Sequence, residues 1–285
     1  MRAVGIGLGS ILATALATAR ATAAERPAAA TILRRAELVR NPYLGIAVEV
    51  DLAVASRQSG RELRRSQLTL LTHRHDRSLV LIHGTERAAP AALLIADDSY
   101  WLLLPDAARP VELALRHVLA GDLSHAGFLR VNLRVRYTAR YDGDETLGDV
   151  PCWRLELRPK EATAPFARVR YWVAQHGFLP VRIDYYGAAE ELLKSARFTS
   201  YLDTSLGRRP ERIEIEDSRR RRERATLTLS RPQRVSTSKL RFSVDDLVVL
   251  RDAAQSFAGE GEARIRGAQL AEALEASARA RAAAR

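Results

Sequence analysis

Few residues in this 285-residue chain are spaced for chemistry. His73 and His75 stand two apart, with Asp76 beside them. On a strand that spacing puts two imidazoles on one face, where they could hold a metal or simply meet solvent. No third ligand follows at a motif spacing, so the solvent-facing reading is taken. His83, His117, His125 and His176 are scattered. The single cysteine, Cys152, adjoins Trp153 in an alternating stretch. It has no helix start or histidine close in sequence to activate it, and reads as an inert, semi-buried thiol. Serine hydrolysis would need a G-x-S-x-G elbow, and nucleotide binding a Walker loop or a G-x-G-x-x-G after a strand. None is present; Gly5, Gly7 and Gly9 lie in a leader-like segment. Asp97-Asp98 and Asp245-Asp246 have the residue types of turns. The expectation is a protein that is not an enzyme, with no cofactor and no metal.

That leader-like segment sets the expected compartment. Arg2 precedes an apolar or small-residue run from Val4 to Ala19, and Ala21, Ala23 and Ala24 suit a signal peptidase. Residues 1–24 read as a signal peptide cleaved after Ala23 or Ala24; the alternative is an anchor helix, for which the run is short. The expected location is the periplasm. Lys and Arg number 45 against 34 Asp and Glu, a net charge of +11; losing residues 1–24 removes Arg2 and Arg20 and no acid, leaving +9. Export argues against nucleic acid as the partner. Only Lys160, Lys194 and Lys239 are lysine, so the excess is almost all arginine. Arg219 to Arg222 with Arg224 form a basic run, read as a solvated hairpin tip or as a transient dock for an anionic membrane surface or an acidic partner surface.

The elements that must carry these residues are mostly strands. Thr31 to Leu44 has helical spacing in Ile32, Leu33, Ala36 and Val39, stopped by Asn41-Pro42. Ile46, Val48, Val50, Leu52 and Val54 then alternate with polar or small residues, a half-buried strand. Arg64 to Thr72, Ser78 to His83, Leu93 to Ala96 and Ser99 to Leu104 read as further strands. Arg109 to Ala120 reads as helical, with Val111, Leu115, Val118 and Leu119 on one side. From 150 to 217 the alternation is clearest: Trp153, Leu155 and Leu157; Val169, Tyr171 and Val173; Val181, Ile183 and Tyr185; Ile213 and Ile215. Ala225 to Ser230 and Ser236 to Phe242 add strands. Asp245 to Leu250 ends the sheet, and Glu260 to Arg285 reads as a peripheral helix. Short connections predict antiparallel pairing of roughly ten strands. An apolar sheet face of that length must close on itself or be covered by helices. The strand aromatics, Tyr100, Trp101, Trp153, Tyr171, Trp172, Tyr185 and Tyr186, read as ordinary core or as the lining of a cavity.

Several blocks carry a resemblance. LLIADDSYWLLLP (Leu93 to Pro105), RPVEL (Arg109 to Leu113), GDVPCWRLELRPK (Gly148 to Lys160), RVRYWVAQHGFLPVRIDYY (Arg168 to Tyr186), LLKSARFTSY (Leu192 to Tyr201), RRPERIEIED (Arg208 to Asp217) and FSVDDL (Phe242 to Leu247) follow in order. Together they resemble the outer-membrane lipoprotein-sorting family with the LolA-like fold. The loop before Leu93, in GTERAAPAAL, and the tail after Arg251 depart from its pattern. The resemblance implies an α+β fold: a strongly curved antiparallel sheet forming an incomplete β-barrel covered by helices, over residues 25–258, with 259–285 as a helical tail. It also implies a periplasmic carrier of lipoprotein acyl chains or lipid, working with an inner-membrane exporter; a non-carrier envelope adaptor or sensor is the alternative. From alternation, the expected cavity lining is Trp101, Leu103, Trp153, Leu155, Leu157, Val169, Tyr171, Val173, Val181, Ile183 and Tyr185. The expected lid is Ile32, Leu33 and Ala36 with Val111, Leu115 and Leu119.

Overall fold

Alternation along the strands builds one very wide sheet. A computed structural model describes residues 26–41, 45–73, 77–84, 89–96, 99–113, 131–237, 242–259 and 267–283. Strands β1 (Ile46–Ser56), β2 (Glu62–His73), β3 (Arg77–Ile82), β4 (Ala91–Ala96), β5 (Ser99–Leu103) and β6 (Val111–Leu113) meander outward in one direction. After a helical turn at Leu133–Arg136 the chain starts again at the far edge. Strands β7 (Tyr137–Leu147), β8 (Val150–Pro159), β9 (Arg168–Ala174), β10 (Pro180–Tyr186), β11 (Leu192–Thr204), β12 (Gly207–Asp217) and β13 (Glu223–Arg234) meander back, and β13 pairs with β1. All thirteen are antiparallel, and β6 and β7 are the two edges, so the sheet is open. Register shifts in β1, β7, β10 and β11 add bends to a sheet that already twists. In β7 the shift falls at Gly143, whose φ of 137° is closed to side chains of the L hand.

Two strands depart from the sequence expectation. Val111–Leu113 is strand β6, paired with Tyr100–Leu102, where a helix was expected. The rest of that segment, including Leu115 and Leu119, lies outside the described residues. Strand β7 carried a signal that was missed: Tyr137, Ala139 and Tyr141 alternate with Thr138, Arg140 and Asp142. At the other end, β13 stops at Arg234, and Ser236, Thr237 and Phe242 lie outside any strand; residues 238–241 of the expected strand Ser236 to Phe242 are outside the described residues.

Each sheet face has its own core. On the concave side one row runs across seven strands: Leu155, Tyr171, Ile183, Ala196, Ile215, Ala225 and Val54 are successive cross-strand partners. Helix α1 (Ala29–Arg40) lies over this side and buries Ile32, Leu33, Ala36 and Glu37 against β7, β9, β10 and β12. On the convex side, β1 to β5 present Ala47, Leu71, Leu79, Leu81, Ala92, Leu94 and Leu103 to two C-terminal helices. These are α2 (Asp245–Gly259), which contributes Leu247 and Leu250, and α3 (Gly267–Ala283), which contributes Leu270 and Leu274. The tail is therefore part of a second core, and Asp245-Asp246 open a helix. The runs Leu79-Val80-Leu81-Ile82 and Ala92-Leu93-Leu94-Ile95 already imply this, since strands covered on both faces lose their alternation.

Polar contacts fix both helix layers. The Glu37 and Arg40 side chains are almost wholly buried and joined by two hydrogen bonds, Arg40 Nε to Oε1 at 2.8 Å and Nη2 to Oε2 at 2.7 Å. Arg40 Nη2 also donates to Val131 O, and Leu133 N donates to Glu37 Oε2. Burial works against the guanidinium charge, but the adjacent Glu37 outweighs it and holds Arg40 above its usual value. Burial, then the Glu37 charge, keeps the Tyr171 phenol protonated beside the pair. On the convex face the Glu49 carboxylate accepts from Thr69 Oγ1 at 2.9 Å and from Gly267 N at 3.2 Å, at the positive end of α3. Arg281 of α3 pairs with Asp246 of α2 at 2.5 Å.

Two predictions follow from this packing. Glu37→Leu strands the Arg40 charge and should cost about 3–5 kcal/mol in urea unfolding; adding Arg40→Met should recover most of that loss. A Cβ at Gly267 would meet the Cβ of Ala47 at 2.4 Å. Gly267→Ala should lift α3 and speed proteolysis between α2 and α3, and Ala47→Gly should slow it again.

Candidate functional site

The concave face is not filled evenly. Its β7-to-β10 half is packed with large rings: Tyr137, Phe166, Tyr171 and Tyr185 are fully buried there. Phe166 packs tilted against Tyr185 with ring centroids 4.6 Å apart, and Trp153 against Phe178 at 5.1 Å. Tyr137 Oη donates to Phe166 O and accepts from Phe166 N, both at 3.1 Å. The half nearest the β1–β13 junction carries short aliphatic side chains instead, and these do not reach far enough to close the space beside α1.

A cavity of about 90 Å³ remains there. Its floor is Val48 and Val50 of β1, Leu68 and Leu70 of β2, Val80 of β3, and Leu227 and Leu229 of β13. Cross-strand pairing sets this floor: Val50 faces Leu229 on one side and Leu68 on the other, and Leu70 lies between Val48 and Val80. Leu202, Pro210 and Ile213 form one wall, and Val39, Arg40 and Asn41 at the end of α1 form the rim. No aromatic side chain borders the cavity among the described residues. Arg209 reaches in from β12 and ties down the helix end: Nη1 donates to Leu38 O at 2.7 Å and Val39 O at 3.2 Å, and Nη2 to Leu206 O. The carbonyls of Leu38 and Val39 are terminal ones that a helix cannot satisfy internally.

The structure distributes the expected lining differently. Trp153, Leu155, Leu157, Val169, Tyr171, Val173, Ile183 and Tyr185 face the concave side together, but inside the ring-packed core, and none borders the cavity. Trp101 and Leu103 point the other way, Leu103 into the convex core with Trp101 against it, while Tyr100 and Leu102 face the concave side. With both faces of β5 apolar, nothing in its sequence chose the parity, and a shift of one residue flips the whole set. Val181 sits at a register shift and is half-buried. Of the expected lid, Ile32, Leu33 and Ala36 are in place on α1, whereas Val111 is on an edge strand and 55% exposed. The cavity floor was missed because a row of Val and Leu reads as core anywhere; its only signal is the lack of a Phe, Tyr or Trp ring on β1, β2, β3 and β13, which form the floor.

The residues first examined for chemistry are structural. His73 Nδ1 lies 2.9 Å from Thr237 Oγ1 and its ring packs on Phe242. His75 is outside the described residues. Cys152 is fully buried, and burial pushes its thiol up to about 11, far from a reactive thiolate. Arg224 pairs with Glu216 and Arg220 with Glu223 around the β12–β13 tip. Among the described residues no group of three or more His, Cys, Asp and Glu is placed to hold a metal, and no helix is long and apolar enough to cross a membrane.

Comparison with known proteins fits this architecture. A LolA superfamily protein from Nitrosomonas europaea is 24% identical with a TM-score of 0.68, covering 77% of this chain and 99% of that one. A DUF1329 family protein from Desulfovibrio piger is 16% identical at 0.64, covering 77% and 97%. A domain from Vibrio parahaemolyticus named for outer membrane lipoprotein sorting is 16% identical at 0.58, covering 72% and 92%. No curated protein matches the sequence. A family model described as an uncharacterized protein matches residues 74–247, more than half of the chain. The chain belongs to that family, and its open, curved antiparallel sheet with covering helices is the LolA-like fold.

Proposed function

We propose that this protein is an exported carrier that shelters an acyl chain of a lipid or lipoprotein in the cavity beneath the end of α1. The observation that carries the reading is an apolar hollow in a sheet whose other concave half is packed with rings. The physical need is desolvation. An acyl chain of about 16 methylenes loses ~0.8 kcal/mol per CH₂ in water, on the order of 12 kcal/mol in all. A carrier must recover much of that and still release its cargo. The cavity holds part of such a chain; the remainder requires the end of α1 to swing outward, trading its contacts for those of the ligand. The LolA superfamily protein and the domain named for outer membrane lipoprotein sorting support this reading through their fold. A cleaved leader at residues 1–24, an inner-membrane exporter as partner, and contact of the basic β12–β13 tip with an anionic membrane complete it. The ring-packed half of the sheet favours a second reading, a filled adaptor domain of an envelope complex.

Organic extraction of the purified protein followed by lipid mass spectrometry separates the two. The carrier reading expects about one acyl chain or lipid per protein; a consistently empty protein favours the adaptor. Leu229→Trp places a ring in the hollow and should lower recovered lipid at least about tenfold with little loss of stability. The same change at the exposed Leu192 should leave recovery unchanged. Equal recovery from the two variants would remove the cavity from the account.

A further inference from the structure

Among the described residues two charged side chains border the cavity, Arg40 and Arg209, and no carboxylate does. Arg40 is balanced by Glu37. Arg209 is not balanced in the same way. Its contacts are the neutral carbonyls of Leu38, Val39 and Leu206, and its Nε is buried with no acceptor among the described residues. None of the ion pairs among the described residues includes it. A guanidinium in a protein does not give up its proton, so it cannot escape burial by neutralising. The partial negative charge at the end of α1 offsets only about half a charge. Burial accordingly draws Arg209 below the usual arginine value, and no described carboxylate lifts it back. An apolar hollow thus ends on a cation that lacks a full counter-ion and has a spare N–H.

We infer that the cavity takes an anionic single-chain amphiphile, with its hydrocarbon tail on Val50, Leu68 and Leu229 and its carboxylate or phosphate end against Arg209. The inference rests on the acyl-binding reading above and adds the charge of the ligand. Anion and guanidinium supply each other's missing partner: the ligand completes the hydrogen bonding of Arg209, and the charge selects against neutral lipids of equal chain length. A neutral head group would leave Arg209 as it stands.

The test uses the purified chain stripped of lipid and titrated with three probes sharing one palmitoyl chain: palmitate, 1-palmitoyl lysophosphatidate and 1-palmitoylglycerol. At least one anionic probe should bind about tenfold or more tighter than the neutral glyceride, and whichever does so names a carboxylate or a phosphate as the preferred end. Arg209→Gln should abolish the difference between the anionic probes and the glyceride, whatever loosening of the α1 end does to the affinity all three share, and Arg209→Lys should keep part of the preference. Equal binding of all three probes by the unaltered chain overturns the inference and leaves acyl binding standing. Binding of none overturns both. A preference that survives Arg209→Gln overturns the role of Arg209.

Discussion

A thirteen-strand open sheet exposes more apolar concave surface than one helix can cover. Strands lie about 4.8 Å apart, while a helix with its side chains is about 10–12 Å across, so a single helix spans the width of two or three strands. Helix α1 is the only long helix described on that face. Where β7 to β10 supply Tyr137, Trp153, Tyr171 and Tyr185 beneath α1, rings and helix together pack the trough; where β1, β2 and β13 supply Val and Leu and α1 reaches only the rim, it stays hollow.

The position of α1 is set by charge as much as by packing. Glu37 and Arg40 satisfy each other in a dry setting and also bind the backbone at Val131 and Leu133, which joins the helix to the chain leading into β7. Arg209 holds the last turn from the opposite side. Buried pairs of this kind add little net stability over apolar residues, but they penalise every other placement of the helix. The rim of the hollow is therefore held by polar contacts that an outward swing of the helix end would have to break, and it carries positive charge.

The two halves of the sheet treat their convex faces differently. Strands β1 to β5 are covered by α2 and α3 and are apolar on both sides. Strands β7 to β12 face solvent with arginine–acid pairs and with arginines over rings, as at Arg168 over Tyr186 and Arg182 over Trp172. Much of the arginine excess is spent on this surface, where single exposed pairs contribute little to stability. The basic residues that bear on the proposed function are the few that turn inward.

The local pattern of the chain was sufficient for the strands from 150 to 217, the N-terminal helix and the antiparallel class, because period-two and period-three-to-four alternation is written in neighbouring residues. The ordered blocks likewise pointed to the LolA-like fold. Parity failed at Trp101 and Leu103, where both faces of β5 are covered and alternation vanishes. The tail was read as peripheral because what Leu270 and Leu274 press against lies about 200 residues earlier in the chain. The cavity floor could not be read at all. A void is a property of what facing strands and a helix fail to fill, so it belongs to no segment, and the lack of a counter-ion at Arg209 depends on which carbonyls and which empty space the fold brings to it.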